Sequence, residues 1–249
     1  MATTTSTENS GLLNYLLPAF TKETGYPIHV IAVGTGKALR MGQDGDVDVV
    51  LVHALAAEHE FVAHGYGERR YPVMQNDFVI LGPASDSAGI GGVKKAAQVM
   101  KQVASRHAIF ISRGDNSGTN KKEKALWKEA GIKPAGSWYR EAGQGMGKVI
   151  QMANELQAYT LADRGTWLAY QDKVSLKVLH EGDASLMNPY GIIAVNPKRY
   201  PDTNYEGAKK LISWITSRHG QTLIGAFKIH GQRLFIPESE NRMAANKKN

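Results

Sequence analysis

The sequence predicts an α/β protein whose mostly parallel sheets are flanked by helices. Three observations carry that expectation. Short β-branched runs recur along the chain and are apolar almost without interruption, as in strands covered on both faces. Between them lie segments whose apolar residues repeat at helical spacing. The alternation of the two kinds of segment favours parallel sheets over a sandwich or a bundle.

Taken in order, the chain opens on a run of hydroxyls, "TTTSTENSG" at 3–11, ahead of the apolar run "LLNYLL". Leu12, Leu13, Leu16, Leu17 and Phe20 follow helical spacing, and Pro18 among them is expected to kink or interrupt that helix. Strands are expected at 28–33, 47–52, 78–81, 108–111 and 192–195. Helices are expected at 121–130, closed by Gly131, at 145–157 and at 160–171, where Gly165 weakens the pattern. A last helical pattern runs from Leu211 through Ile212 and Ile215 and, after a break at Arg218–His219–Gly220, on to Leu223. No repeat or long linker appears. A two-lobed chain must then change lobes through strand crossings, for which "NDFVILGP" at 76–83 and "NPYGIIAVNP" at 188–197 are the candidates. The expected lobes are 1–79 with 193–249, and 80–192.

Composition bounds the function. The 249 residues, 42% hydrophobic and 21% charged, suffice for one large or two ordinary domains. The chain carries no apolar run near the roughly 20 residues that span a bilayer, and a secretory signal is not legible at its start. The net charge of +7 favours anionic partners. The lysines are spread as pairs (Lys94–Lys95, Lys121–Lys122, Lys209–Lys210, Lys247–Lys248), which argues for a solvated surface and against a nucleic-acid site. The chain has no cysteine, so thiol catalysis and cysteine-bound metals are excluded. "HEFVAH" spaces His59 and His64 five residues apart, about 140° around a helix, so no shared metal is expected. No Gly-x-Ser-x-Gly elbow and no catalytic carboxylate pair is recognisable, and an enzyme is not expected.

Two stretches carry chemistry. In the first, hydroxyls crowd a helix start, where backbone N–H groups lack intrahelical partners and can hold an anion. The competing reading is ordinary capping, with Thr5 and Glu8 at capping-box spacing. In the second, "FISRGDNSGTNKKEKALW" at 110–127, a strand leads through a glycine turn into a helix. This places Ser117, Gly118 and Thr119 at the helix start with Arg113 close by. "AVGTGKAL" at 32–39 fails the phosphate-loop pattern because Ala38 follows Lys37, and "GQGMG" at 143–147 misses the dinucleotide spacing. Asp115 leaves one question open. As a free acceptor it would suit a protonated oxyanion such as phosphate, whereas paired with Arg113 or capping the helix it would leave only donors, which suit a fully ionised one.

"TTTSTENSGLL", "GDVDVVLVHA", "NDFVILGP", "SRGDNSGTNKKE", "GQGMG", "AYTLADRGTWLA" and "NPYGIIAVNP", in that order, resemble the tungstate-binding components of tungstate ABC importers, the TupA type. The resemblance runs from residue 3 to about 227. It implies a two-lobed periplasmic-binding-protein fold of type II, with tungstate in the cleft between lobes and delivery to membrane permease subunits. Tungstate is then the ligand, with molybdate, phosphate or sulfate as the alternatives. The implied protein is a monomer outside the cytoplasm, without cofactor or nucleic-acid partner. Carried over by residue, the oxyanion contacts are Thr4 and Ser6, with Thr5 beside them, and Arg113, Ser117 and Thr119 from the other lobe. The resemblance also extends, less specifically, to backbone N–H groups at His53, Ala54, Gly145 and Met146. Asn120 departs from the family pattern, where His is expected, and the tail after Arg242 carries no motif.

Overall fold

The computed structural model describes residues 1–115 and 117–241; Lys247, Lys248 and the rest of the tail from Arg242 lie outside the described residues. Along the chain the strands are β1 (Ala2–Thr4), β2 (Ile31–Val33), β3 (Val49–Val52), β4 (Gly67–Gly82), β5 (Phe110–Ser112), β6 (Tyr139–Glu141), β7 (Thr160–Asp163), β8 (Lys177–His180), β9 (Met187–Val195), β10 (Lys228–Ile229), β11 (Gln232–Arg233) and β12 (Ile236–Pro237). The helices are α1 (Thr5–Asn9), α2 (Leu12–Thr24), α3 (Thr35–Asp44), α4 (Leu55–Ala63), α5 (Ala96–Ser105), α6 (Gly118–Glu129), α7 (Met146–Glu155), α8 (Arg164–Tyr170), α9 (Tyr205–Ile215) and α10 (Arg218–Ala226). The chain divides into two compact units, Met1–Gln75 with the segment from Asn188 onward, and Asn76–Met187. The sequence reading set these boundaries four to five residues later at each crossing. The reason is that β4 and β9 run through the boundaries as unbroken strands, so neither composition nor pattern changes there.

In the first unit β1 lies between β2 and β3 and is parallel to both, pairing Ala2 with Ile31 and with Val50. β9 runs antiparallel to β3, from Val49 against Ala194 to Val52 against Gly191. On one face Ala38 and Leu39 of α3 and Phe61 of α4 pack on Val50, Val52, Ile193 and Val195. α2 buries Leu12, Leu13, Leu16 and Phe20, the last edge-on to Trp214 of α9 with ring centroids 5.5 Å apart. Contrary to the expected interruption, α2 runs through Pro18 as one helix. Proline removes a single N–H there, and the buried leucine face outweighs that loss.

In the second unit the far half of β4 pairs antiparallel with β7 and β8, and β5 pairs parallel with β6. Its core gathers Phe78, Ile80, Val99, Met100, Phe110, Trp127, Tyr159 and Leu161. The sheets are therefore mixed, parallel at β1, β2, β3 and at β5, β6, antiparallel along β4 and β9.

Two expected elements change. Residues 160–171 are not one helix: Thr160–Asp163 is a strand on β4, and Asp163 then caps α8, its Oδ1 accepting from Thr166 N at 2.8 Å. An apolar run this short fits strand or helix until a partner strand is present. The break before Leu223 lies earlier than 218–220, because Ser217 is the N-cap of α10 and residues 218–220 form its first turn. Gly220 fits there because a Cβ would stand 2.3 Å from Trp214 O. "AVGTGKAL" likewise enters a helix, with Gly34 as the N-cap of α3.

Candidate functional site

The first unit brings its hydroxyls together where β1 ends. Thr4 stands in extended backbone (φ −89°, ψ 150°) and caps α1, its Oγ1 accepting from Thr7 N at 3.2 Å. The cap is thus Thr4 with Thr7, one residue earlier than the expected Thr5 and Glu8 pair, because β1 carries the chain in extended form through Thr4 and leaves Thr5 as the first helical residue. Thr3 is spent elsewhere, donating from its hydroxyl to Leu51 O at 2.7 Å inside the sheet.

Thr4 Oγ1 is a hub. It lies 2.6 Å from Thr7 Oγ1, 3.1 Å from Ser6 Oγ and 3.1 Å from His53 Nε2, and Ser6 Oγ is 3.2 Å from the same ring nitrogen. His53 follows the last residue of β3. Its ring stacks on Tyr190 at 4.6 Å, and its Nδ1 is 3.2 Å from Asn188 Oδ1. Both ring nitrogens thus have hydrogen-bonding partners, Nε2 the hydroxyls and Nδ1 the Asn188 amide, with donor and acceptor roles set by the tautomer. Thr4 is only 3% exposed, whereas Thr5 and Ser6 face solvent. The Ala54 amide donates to Glu58 Oε1 at 2.6 Å, so the side chain of His53, more than the backbone after it, gives this segment its bonding capacity. The sequence pointed to His53 only through its neighbours in "VLVHA"; the role of its ring depends on Thr4, Ser6, Asn188 and Tyr190, none of them near it in sequence.

The second unit builds its cluster between β5 and α6. Ser117 caps α6 in extended backbone and its Oγ accepts from Asn120 N at 3.3 Å, while Thr119 in the first turn is buried. Arg113 is half-buried, and its Nε donates to Asp115 Oδ2 at 2.7 Å; Asp115 Oδ1 accepts from Ser117 N at 3.0 Å. Both carboxylate oxygens of Asp115 are therefore engaged. Burial pushes its acidity the other way, but the bonds from Ser117 and the Arg113 guanidinium outweigh it and hold the carboxyl below the usual range. Gly114 makes the turn possible, with φ +67° and a Cβ position 2.9 Å from Glu141 Cβ. Asn120 is fully buried and its Nδ2 donates to Ser112 Oγ at 3.3 Å.

Gly145 is the N-cap of α7 in extended backbone, with no side chain to cap the helix, and Met146 is buried behind it. The amides of that first turn lack intrahelical acceptors, as at any helix start. Gly147 is held glycine by Tyr170, whose hydroxyl would stand 2.2 Å from a Cβ. Each unit thus carries a cluster rich in hydroxyl and N–H donors, and the second adds the Arg113 guanidinium.

The fold is that of the PBP class of binding domains. A profile described as PBP superfamily domain matches residues 1–219. The tungstate-binding protein TupA of Peptoclostridium acidaminophilum is 51% identical over 243 residues, 96% of this chain and 85% of that protein. Among solved structures, the tungstate-binding protein TupA of Desulfovibrio alaskensis is 48% identical with a TM-score of 0.90, over 95% of this chain and 97% of that one. The structure titled as the tungstate ABC transporter from Geobacter sulfurreducens is 55% identical with a TM-score of 0.81, over 91% and 97%. The chain belongs to the PBP superfamily and, within it, to the family of the tungstate-binding proteins TupA.

Proposed function

We propose that the chain is the substrate-binding component of an ABC importer, which captures tungstate outside the cytoplasm and delivers it to membrane permease subunits. Thr4, Ser6 and His53 of the first unit and Arg113, Ser117 and Thr119 of the second are the proposed contacts, with Thr5 and the amides at Gly145 and Met146 as lesser contributors. The segments around 76 and 188, where β4 and β9 pass from unit to unit, are the proposed hinge.

One observation carries the choice of ligand class. Asp115, the carboxylate in the turn of the second cluster, already accepts from Arg113 and Ser117, which directs part of its acceptor capacity away from a ligand. A dianion that carries no proton at neutral pH needs no acceptor in the site, whereas hydrogen phosphate presents a proton that must find one, at a cost of about 1–3 kcal/mol where it is buried unmatched. Molybdate has the same charge and nearly the same size, so it remains the competitor that donor chemistry separates least; the names of the relatives favour tungstate.

Calorimetric titration with tungstate, molybdate, phosphate and sulfate tests the proposal. Tungstate is expected to bind one per chain, with phosphate roughly 5- to 150-fold weaker, the factor that about 1–3 kcal/mol gives. Phosphate binding as tight as tungstate would overturn it.

A further inference from the structure

We infer that Glu123, a carboxylate outside the proposed contacts, is a positioning residue for the anion cluster of the second unit, an inference that rests on the function proposed above. Glu123 sits on α6 and is 1% exposed. A buried carboxylate is costly unless donors surround it, and this one is surrounded. Its Oε2 accepts from Ser112 Oγ at 2.8 Å, and its Oε1 accepts from Trp127 Nε1 at 3.1 Å and from Tyr139 Oη at 2.8 Å. The amide of Arg113 also favours the ionised form. A carboxylate offers about four acceptor sites, and these donors fill most of them. Burial raises the carboxyl pKa, and these interactions oppose the rise.

The donors come from distinct parts of the unit. Trp127 and Tyr139 belong to scaffold elements, α6 and β6. Ser112 ends β5, and Arg113 is the next residue and begins the turn that carries the proposed contacts. The hydroxyl of Ser112 also accepts from Asn120 Nδ2, one residue beyond Thr119. A continuous chain of bonds therefore runs from Asn120 through Ser112, the residue before Arg113, to Glu123. It fixes both ends of the turn: Arg113 on one side, Ser117 and Thr119 on the other. Glu123 is a single acceptor able to clamp strand end, helix start and scaffold at once, which gives a protein that binds anions a reason to bury a negative charge behind its binding turn. Preorganised donors of this kind bind without a further ordering cost.

The experiment compares the wild type with Glu123→Gln, Ser112→Ala and Tyr139→Phe by tungstate calorimetry, reading Kd and stoichiometry separately, alongside thermal unfolding. Glutamine keeps the shape but replaces one acceptor oxygen by a donor group. Expected are a Kd at least tenfold weaker for Glu123→Gln, a severalfold weaker Kd for Ser112→Ala, both at one tungstate per folded chain, and a Kd within twofold of wild type for Tyr139→Phe despite a lower Tm. A merely structural role would lower Tm or the bound fraction and leave Kd unchanged. Wild-type Kd in either Glu123→Gln or Ser112→Ala overturns the inference, as does a loss in Tyr139→Phe equal to that in Ser112→Ala. Should Glu123→Gln fail to fold, Ser112→Ala decides. A wild type that takes no tungstate overturns the proposed function itself, a result distinct from any difference among variants.

Discussion

Removing the guanidinium is the sharpest perturbation of the second cluster. Arg113 supplies a positive charge there, and its Nε donates to Asp115 Oδ2 at 2.7 Å. The rest of the guanidinium is the part proposed to meet the ligand. A hydrogen bond to a charged group contributes about 1.5–3 kcal/mol, so Arg113→Ala is expected to weaken tungstate binding roughly 10- to 150-fold, at 1.4 kcal/mol per factor of ten. A second effect follows from the ion pair. With Arg113 gone, Asp115 keeps Ser117 N on one oxygen and loses its partner on the other, which leaves an uncompensated carboxylate beside a dianion. Neutralising it should restore part of the loss, so Arg113→Ala with Asp115→Asn is expected to bind more tightly than Arg113→Ala alone. The two residues touch, and such coupling is what a double-mutant cycle measures. Calorimetry of the wild type, both single variants and the double variant completes the cycle. An unchanged Kd in Arg113→Ala removes the guanidinium from the site, and a double variant weaker than the single one refutes the repulsion argument.

Other consequences separate capping from binding and packing from charge. Thr4→Val deletes both a proposed contact and the cap of α1, so it should weaken tungstate binding and cost about 1 kcal/mol of stability; Ser6→Ala, which caps nothing, should weaken binding with Tm unchanged. Titration and thermal unfolding of the pair check this. A Cβ at Gly191 would lie 2.3 Å from Glu58 Oε2 and 2.6 Å from Arg70 Nε, so Gly191→Ala must displace a buried ion pair, and a loss of about 1–3 kcal/mol, several degrees in Tm, is expected from scanning calorimetry. Asp183 accepts from Ala96 N at 2.6 Å and Ser185 N at 3.1 Å. Burial opposes ionisation, yet these bonds hold its folded pKa below the ordinary value. The sign follows: its stabilisation is present above about pH 4, the unfolded value, and is lost as pH falls through the lower folded value. Asp183→Asn should flatten the acid limb of the Tm profile between pH 5 and pH 2, and a limb as steep as that of the wild type would contradict this assignment.

The elements that the sequence made legible are those whose signal is local. The leucine stripe of α2, the apolar runs of β3 and β9 and the Ser117 start of α6 depend on residues within a turn or two of one another. Where the signal depended on a distant partner the reading failed or stayed silent. Thr160–Asp163 became a strand only against β4, some 80 residues earlier in the chain. α3, α4 and α5 went unread, and β4, continuous over 16 residues, was legible only in its apolar second half. Its first half, "GERRYPV", mixes charge, aromatic and proline, and its extended form comes from neighbouring strands in the sheet.

By itself the sequence determined the inventory: hydroxyls ahead of the first helix, an Arg–Gly–Asp turn ahead of another, no thiol, and a basic surface suited to anions. Tertiary structure decided how that inventory is deployed. It set Thr4 against His53 across 49 positions and His53 against Asn188 across 135, gave Asp115 to Arg113 and Ser117, and placed Glu123 behind the turn. The physical reason lies in range. Caps and turns close within a few residues and are written in the local order of side chains, whereas the partner of a hydrogen-bonding group far along the chain is fixed only when strands pair and bring it within 3 Å.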